Sequence, residues 1–177
     1  MSGTELNPPA HRGVFEEGSS AEEAFDAFVA ERYGRVRSTI QIIVSNRATA
    51  EDLAQETFAR AYLAWSKLWP DGNPAGWVHR VATNLALSWR RRAGREIRAL
   101  QRLGRRTDQS LATPELHPEL HRAVAALPPR QRAAVALHYV LDLSVDDAAA
   151  AMKCKPGTVK SLLHAARERL RRELGDE

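Results

Sequence analysis

The sequence predicts an all-α protein, and three observations carry that prediction. Apolar residues recur at spacings of three, four, seven and eight along most of the chain. No segment alternates apolar and polar residues over the length of a strand. Clusters of proline and glycine, such as "WPDGNPAG", divide the apolar stripes into separate helices.

Residues 1–20 are rich in Gly, Pro, Ser and Glu and predict a loose tail. Phe25, Phe28 and Val29 open the first stripe, and Val36, Ile40, Ile43 and Val44 continue it. Thr49, followed by Glu51 and Asp52, marks the next helix start, because acidic side chains suit the positive end of a helix. The expected inward set there is Ala54, Phe58, Ala61, Tyr62 and Trp65. Trp77, Val78, Val81 and Leu85 mark a third helix that runs into an arginine block. From Arg95 to His117 the stripe fades into polar, proline-punctuated sequence. Leu120, Val124 and Leu127 then form a short helix ended by Pro128 and Pro129, followed by "RQRAAVALHYVL" as another. In "LSVDDAAAAM", Ser144 sits at the N-cap with Asp147 at the third helical position, and Val145, Ala148, Ala149 and Met152 face inward. The turn "KCKPG" leads to a last helix with Val159, Leu163, Ala166 and Leu170 inward. The expected organisation is thus a tail (1–20), two small helical domains (21–94 and 118–177) and a flexible linker (95–117).

Composition narrows the function. The chain has 177 residues, 44% of them hydrophobic and 27% charged, and no apolar run long enough to span a membrane. Its beginning lacks the pattern of a signal peptide, and the single cysteine, Cys154, can form no internal disulfide, which together predict a cytoplasmic protein. There is no phosphate-cradling glycine loop, paired metal-ligand spacing or nucleophile motif. An enzyme is not expected, nor is a metal or cofactor. The formal charge of +4 is segregated: residues 1–56 hold ten acidic and five basic residues, whereas Arg90 to Arg106 hold eight arginines and one glutamate. Such a block suits either a nucleic-acid backbone or a solvated helix and linker.

The last two helices, with alanine contacts, a tight turn and a basic second member, describe a helix-turn-helix unit. Helical spacing places Thr158, Lys160, Ser161, His164 and Arg167 on the outer face, where they can meet phosphates or base edges. An αα-hairpin with a solvated basic face satisfies the same pattern.

"LPPRQRAAVALHYVLDLSVDDAAAAMKCKPGTVKSLLHAARERLRREL" resembles the promoter-reading carboxy-terminal domain of extracytoplasmic-function sigma factors. "AEDLAQETFARAYLAW", followed by "GWVHRVATNLALSWRRR", resembles their amino-terminal domain. The resemblance covers about Ala21 to Leu174 and implies a dissociable subunit of bacterial RNA polymerase that directs promoter-specific initiation. It implies that the "DLAQETF" helix docks on the clamp helices of the polymerase's largest subunit through Asp52, Gln55, Glu56 and Arg60. It implies that Asn84 captures a flipped base of the minus-ten element. Around it, Arg80, Arg90, Arg91 and Arg92 are candidates for DNA contact, and Trp89 either stacks on an unpaired base or fills the core. Lys160 and Ser161 fit the family's reader of the minus-thirty-five element. Leu162 and Ala165 stand where arginines are common, His164 where an aromatic residue or arginine often sits, and Lys153 where glycine is frequent. The partners so implied are core RNA polymerase, promoter DNA and an anti-sigma factor, with the free protein a monomer. The alternative is a dimeric helix-turn-helix repressor or activator, which leaves "DLAQETF" and the arginine block without a role.

Overall fold

The computed structural model describes residues 20–102 and 118–175, with side chains through Glu96 in the first stretch. Among the described residues seven α-helices run in the order α1 (Ala21–Val44), α2 (Arg47–Leu68), α3 (Pro74–Arg102), α4 (Pro118–Ala126), α5 (Pro129–Val135), α6 (Val145–Met152) and α7 (Pro156–Leu174). No strand occurs among the described residues. None of the described helices is long and apolar enough to cross a membrane.

Local signals start and stop most of these helices. Ser20 accepts a hydrogen bond from the Glu23 amide while the Glu23 carboxylate accepts one from the Ser20 amide, closing a capping box on α1. The α2 start differs from expectation. Asn46 is its N-cap, accepting the Thr49 amide at 2.8 Å, so Thr49 lies inside the first turn. Ser144 caps α6 through the Asp147 amide at 3.0 Å, as its spacing predicts.

α1, α2 and α3 pack together around aromatic side chains. Trp65 meets Phe25 and Phe28 at ring separations of 5.1 and 5.2 Å, and its indole N–H donates to the Ala21 carbonyl at 2.7 Å. Tyr62 is not part of the buried set, lying 55% exposed, and Leu53 is buried in its helix instead. α3 also departs from the expected stripe. It buries Val78, Ala82 and Ala86 on one row and His79, Thr83 and Leu87 on the next, leaving Trp77, Val81 and Leu85 half-buried. The reason is that α3 is covered twice, by α1 and α2 and again by α5 and α6. α3 continues to Arg102, and the remainder of the expected linker lies outside the described residues, as does the tail through Ser19.

In the second half α5 does not continue as one α-helix. It widens into a π-helical turn at Ala136–Val140, where the Leu141 amide reaches back to the Ala136 carbonyl at 3.2 Å. Asp142 then takes a left-handed conformation (φ 52°), and a His138 ring nitrogen lies 2.8 Å from the Leu143 carbonyl oxygen. α7 buries Val159, Leu163 and Ala166, with Leu170 half-buried at the edge. The two halves touch: α1 packs on α4, α5 and the π turn, and α3 packs on α5 and α6.

Candidate nucleic-acid interface

α7 begins with Pro156 at its first turn, which needs no amide partner there. Val159, Leu163 and Ala166 anchor one side of the helix, so the other side turns to solvent. Thr158, Lys160, Ser161, His164 and Arg167 are all exposed on it. The Ser161 hydroxyl donates to the Gly157 carbonyl at 3.0 Å and keeps its acceptor capacity. Leu162 and Ala165 are half-buried, so the absent arginines concern the rim of this face rather than its centre. Lys153 occupies the α6–α7 turn with φ 51°, the left-handed region that glycine reaches without penalty.

On α3 the expected contact residues spread along three turns. Arg80, Arg91 and Arg92 are exposed, whereas Asn84 and Trp89 are half-buried. The Asn84 amide nitrogen donates to the Arg80 carbonyl at 2.8 Å, holding the side chain along its own helix. Trp89 leans on the core but keeps part of its ring accessible. Arg91 donates to the Ser88 hydroxyl at 2.8 Å. Arg90 stands apart: it is half-buried and reaches the Val44 carbonyl at the end of α1, at 3.4 Å. Burial lowers its pKa. Trp77, Val81 and Leu85, which the sequence reading gave as the helix's apolar stripe, are half-covered and lie beside the half-buried Asn84 and Trp89. The alanines at 82 and 86, four apart, were the available sign that the inward face lay elsewhere.

α2 presents Asp52, Gln55, Glu56 and Arg60 to solvent, with Arg60 and Glu56 paired at 2.5 Å. The same face carries Leu63, 83% exposed, which the sequence reading missed. Its position seven residues after Glu56 puts an apolar group on a polar face, which is the signal that could have found it.

The electrostatic extremes lie where the halves meet. His79 on α3 is buried, and its pKa falls to about 4 through burial and the nearby Arg32 and Arg35, against the opposing pull of Asp147. Arg132 on α5 is 2% exposed, and burial together with the neighbouring Arg90 brings its pKa down to about 10. Among the described residues no cluster of three His, Cys, Asp or Glu side chains could hold a metal ion.

These surfaces fall within two family matches. Residues 28–96 match sigma-70 region 2, and residues 117–170 match sigma-70 region 4. The chain is 36% identical over 160 residues to the ECF RNA polymerase sigma factor SigE of Mycolicibacterium smegmatis, covering 86% of this chain and 62% of that relative's length. It is 32% identical over 151 residues to the RNA polymerase sigma-E factor of Streptomyces antibioticus, covering 85% of this chain and 84% of that one. The fold resembles the sigma factor RpoE in its complex with the anti-sigma factor NepR from Bartonella quintana, at a TM-score of 0.73 and 26% identity, over 86% of this chain and 97% of that one. Two helical halves with exposed DNA-suited faces, matched in order by both sigma regions, place the chain in the extracytoplasmic-function group of sigma-70 RNA polymerase sigma factors, which direct promoter-specific transcription initiation.

Proposed function

We propose that the chain divides promoter recognition between its halves. The unit at 21–94 binds core RNA polymerase through the α2 face of Asp52, Gln55, Glu56 and Arg60, and recognises and melts the minus-ten element through α3. There Asn84 holds an extruded base, Trp89 stacks beside it, and Arg80, Arg90, Arg91 and Arg92 meet the backbone. The unit at 118–177 reads the minus-thirty-five element with Thr158, Lys160, Ser161, His164 and Arg167 laid into the major groove. The observation that carries this reading is the wholly exposed polar row of α7, backed by a buried apolar row on the same helix. The protein works in the cytoplasm as a monomer and catalyses no reaction itself. An anti-sigma factor is a fitting partner, since the structurally similar RpoE binds one. A dimeric repressor would leave α2 and α3 unused.

Run-off transcription from genomic promoter fragments, with core polymerase and with or without the protein, tests the reading. Specific transcripts are expected only with the protein. Lys160→Glu should lower the yield from promoters with an intact upstream element about tenfold or more, as loss of a base contact worth ~1–3 kcal/mol predicts. Identical transcripts with and without the protein would overturn the assignment.

A further inference from the structure

α3 runs on past the part of it that packs. It has 29 residues, against 24 in α1 and 22 in α2. Its last buried side chain among the described residues is Leu87, and from Ser88 through Glu96 none is buried. Packing against the core therefore does not account for the turns from Arg91 onward.

Those turns are built from arginine. Arg91, Arg95, Arg98 and Arg102 stand four, three and four residues apart, so they fall on one side of a continuous helix. Arg91, Arg92 and Arg95 are exposed, and among the described residues none of them pairs with a carboxylate. Glu96 is the single acidic residue between Trp89 and Arg102. Like charges one turn apart oppose the helix that carries them, whereas the Glu56–Arg60 and Glu168–Arg171 pairs support α2 and α7. The helix dipole favours cations only near the end. It accounts for Arg98 and Arg102 but not for Arg91 and Arg95, about two turns and more from that end.

A row of uncompensated cations is stabilised by an extended polyanion. From Arg91 to Arg102 the row spans about 16 Å, at about 1.5 Å per residue. One strand of duplex DNA carries a phosphate about every 3.4 Å along the axis, so the row matches about five of them. Arginine on phosphate fixes position and carries no sequence information. Chain order supplies the location. Asn84 precedes the row on α3, and the chain leaves Arg102 toward α4–α7, the unit assigned to the minus-thirty-five element. The row lies between the two readers in the chain, as the intervening duplex lies between the two elements in the promoter.

We propose that Arg95, Arg98 and Arg102, continuing the row begun by Arg91, bind the phosphate backbone of the duplex between the two promoter elements without reading its sequence. The inference rests on the division of promoter recognition set out above, and adds a third, sequence-independent contact to it.

The test measures binding of the polymerase holoenzyme, formed with the full chain, to labelled promoter duplex over a range of salt. R95A/R98A/R102A removes the row beyond Arg91, and alanine keeps the helix. The slope of log affinity against log salt should fall by about 0.9 per arginine removed. On dilution from about 200 to about 50 mM salt, the wild type should therefore gain about forty-fold more affinity than the variant. R95K/R98K/R102K should keep the wild-type slope. On a fragment whose duplex ends at the upstream edge of the minus-ten element, the difference between wild type and the alanine variant should vanish. Equal slopes on the full promoter, or a difference that survives on the short fragment, overturns the proposal. A deficit confined to complexes already making transcript assigns the row to RNA and overturns it as well. If the wild-type holoenzyme does not prefer promoter to scrambled duplex, the division of promoter recognition fails instead, and the slopes on scrambled duplex still decide the row.

Discussion

The first three helices and the last four solve the same packing problem with different materials. α1–α3 are long and interlock through Phe25, Phe28, Tyr33, Phe58 and Trp65, whose rings meet edge-on or tilted at 5.1 to 6.2 Å. α4–α7 are mostly short and bury Ala123, Ala133, Ala134, Ala136, Ala148, Ala149, Ala151 and Ala166, with a few larger aliphatic residues between them. Alanine lets helix axes approach closely, as the α6–α7 crossing requires, but each contributes little apolar area. The second half therefore draws more of its cohesion from hydrogen bonding at Arg132, and three of those five bonds reach the end of α1 and its cap Ser45. The contrast teaches that within one continuous core the first half is held by aromatic packing, while the second is steadied partly by its neighbour.

Breaking the aromatic side should have the largest effect. Phe28 is 2% exposed between Phe58 and Trp65, with the Arg32 guanidinium over its ring at 5.5 Å. Phe28→Ala should cost about 3–5 kcal/mol from lost burial and the cavity left behind. All four tryptophans lie in the first half, so tryptophan fluorescence during urea unfolding reports that loss directly. A midpoint shift worth under ~1 kcal/mol would show that the aromatic cluster is not the principal core.

The junction between the halves is next, and pH probes it. His79 is held neutral, with its pKa lowered from 6.5 to about 4. A lowered histidine pKa means that the unfolded chain binds the proton more readily. The stabilising contribution is fully present above about pH 6.5 and is lost as pH falls from there toward 4, up to about 3 kcal/mol in all. Thermal melts at pH 7.5 and 5 should show this loss, and His79→Gln should flatten it. An unchanged pH profile in that variant would place the dependence elsewhere.

A smaller loss should sharpen the comparison. Arg132→Met keeps the stem of the side chain but leaves four carbonyls and Ser45 without their donor, partly offset by no longer burying a charge. A cost of about 2 kcal/mol is expected, concentrated in the second half. Far-UV circular dichroism should then begin to change before tryptophan fluorescence does. Coincident transitions would mean that the halves unfold as one unit whatever joins them.

The smallest expected change is a gain. Lys153 holds a left-handed conformation that costs a side-chain-bearing residue about 1 kcal/mol. Lys153→Gly should stabilise the turn by about that amount, less the extra freedom given to the unfolded chain. A thermal midpoint that does not rise would locate the strain in a relaxed neighbour.

Much of this protein was legible in its sequence because the governing interactions are local. The helical periodicity of 25–29 and 36–44, the Ser144 cap and the Val159, Leu163 and Ala166 row all involve residues a few positions apart. The outer face of α7 follows from the same period, as does the exposure of Asp52, Gln55, Glu56 and Arg60. Tertiary structure decided what periodicity does not contain. Tyr62 is exposed because α2 buries Leu53, Phe58 and Trp65 among its neighbours, while Tyr62 meets only the edge of that cluster, at the Phe25 ring 5.2 Å away. α3 buries two rows because a second layer arrives from residues more than forty positions away, turning His79 from a surface base into a buried neutral one. Arg132, in "PPRQRAAV", reads as one more solvated arginine. It became the most enclosed charge in the described molecule only because the end of α1, nearly ninety residues earlier, lacks a cation of its own. Sequence determines which faces exist, since a helix sets them by its own repeat; only the folded chain decides which face another helix will cover, since that depends on groups brought together through space.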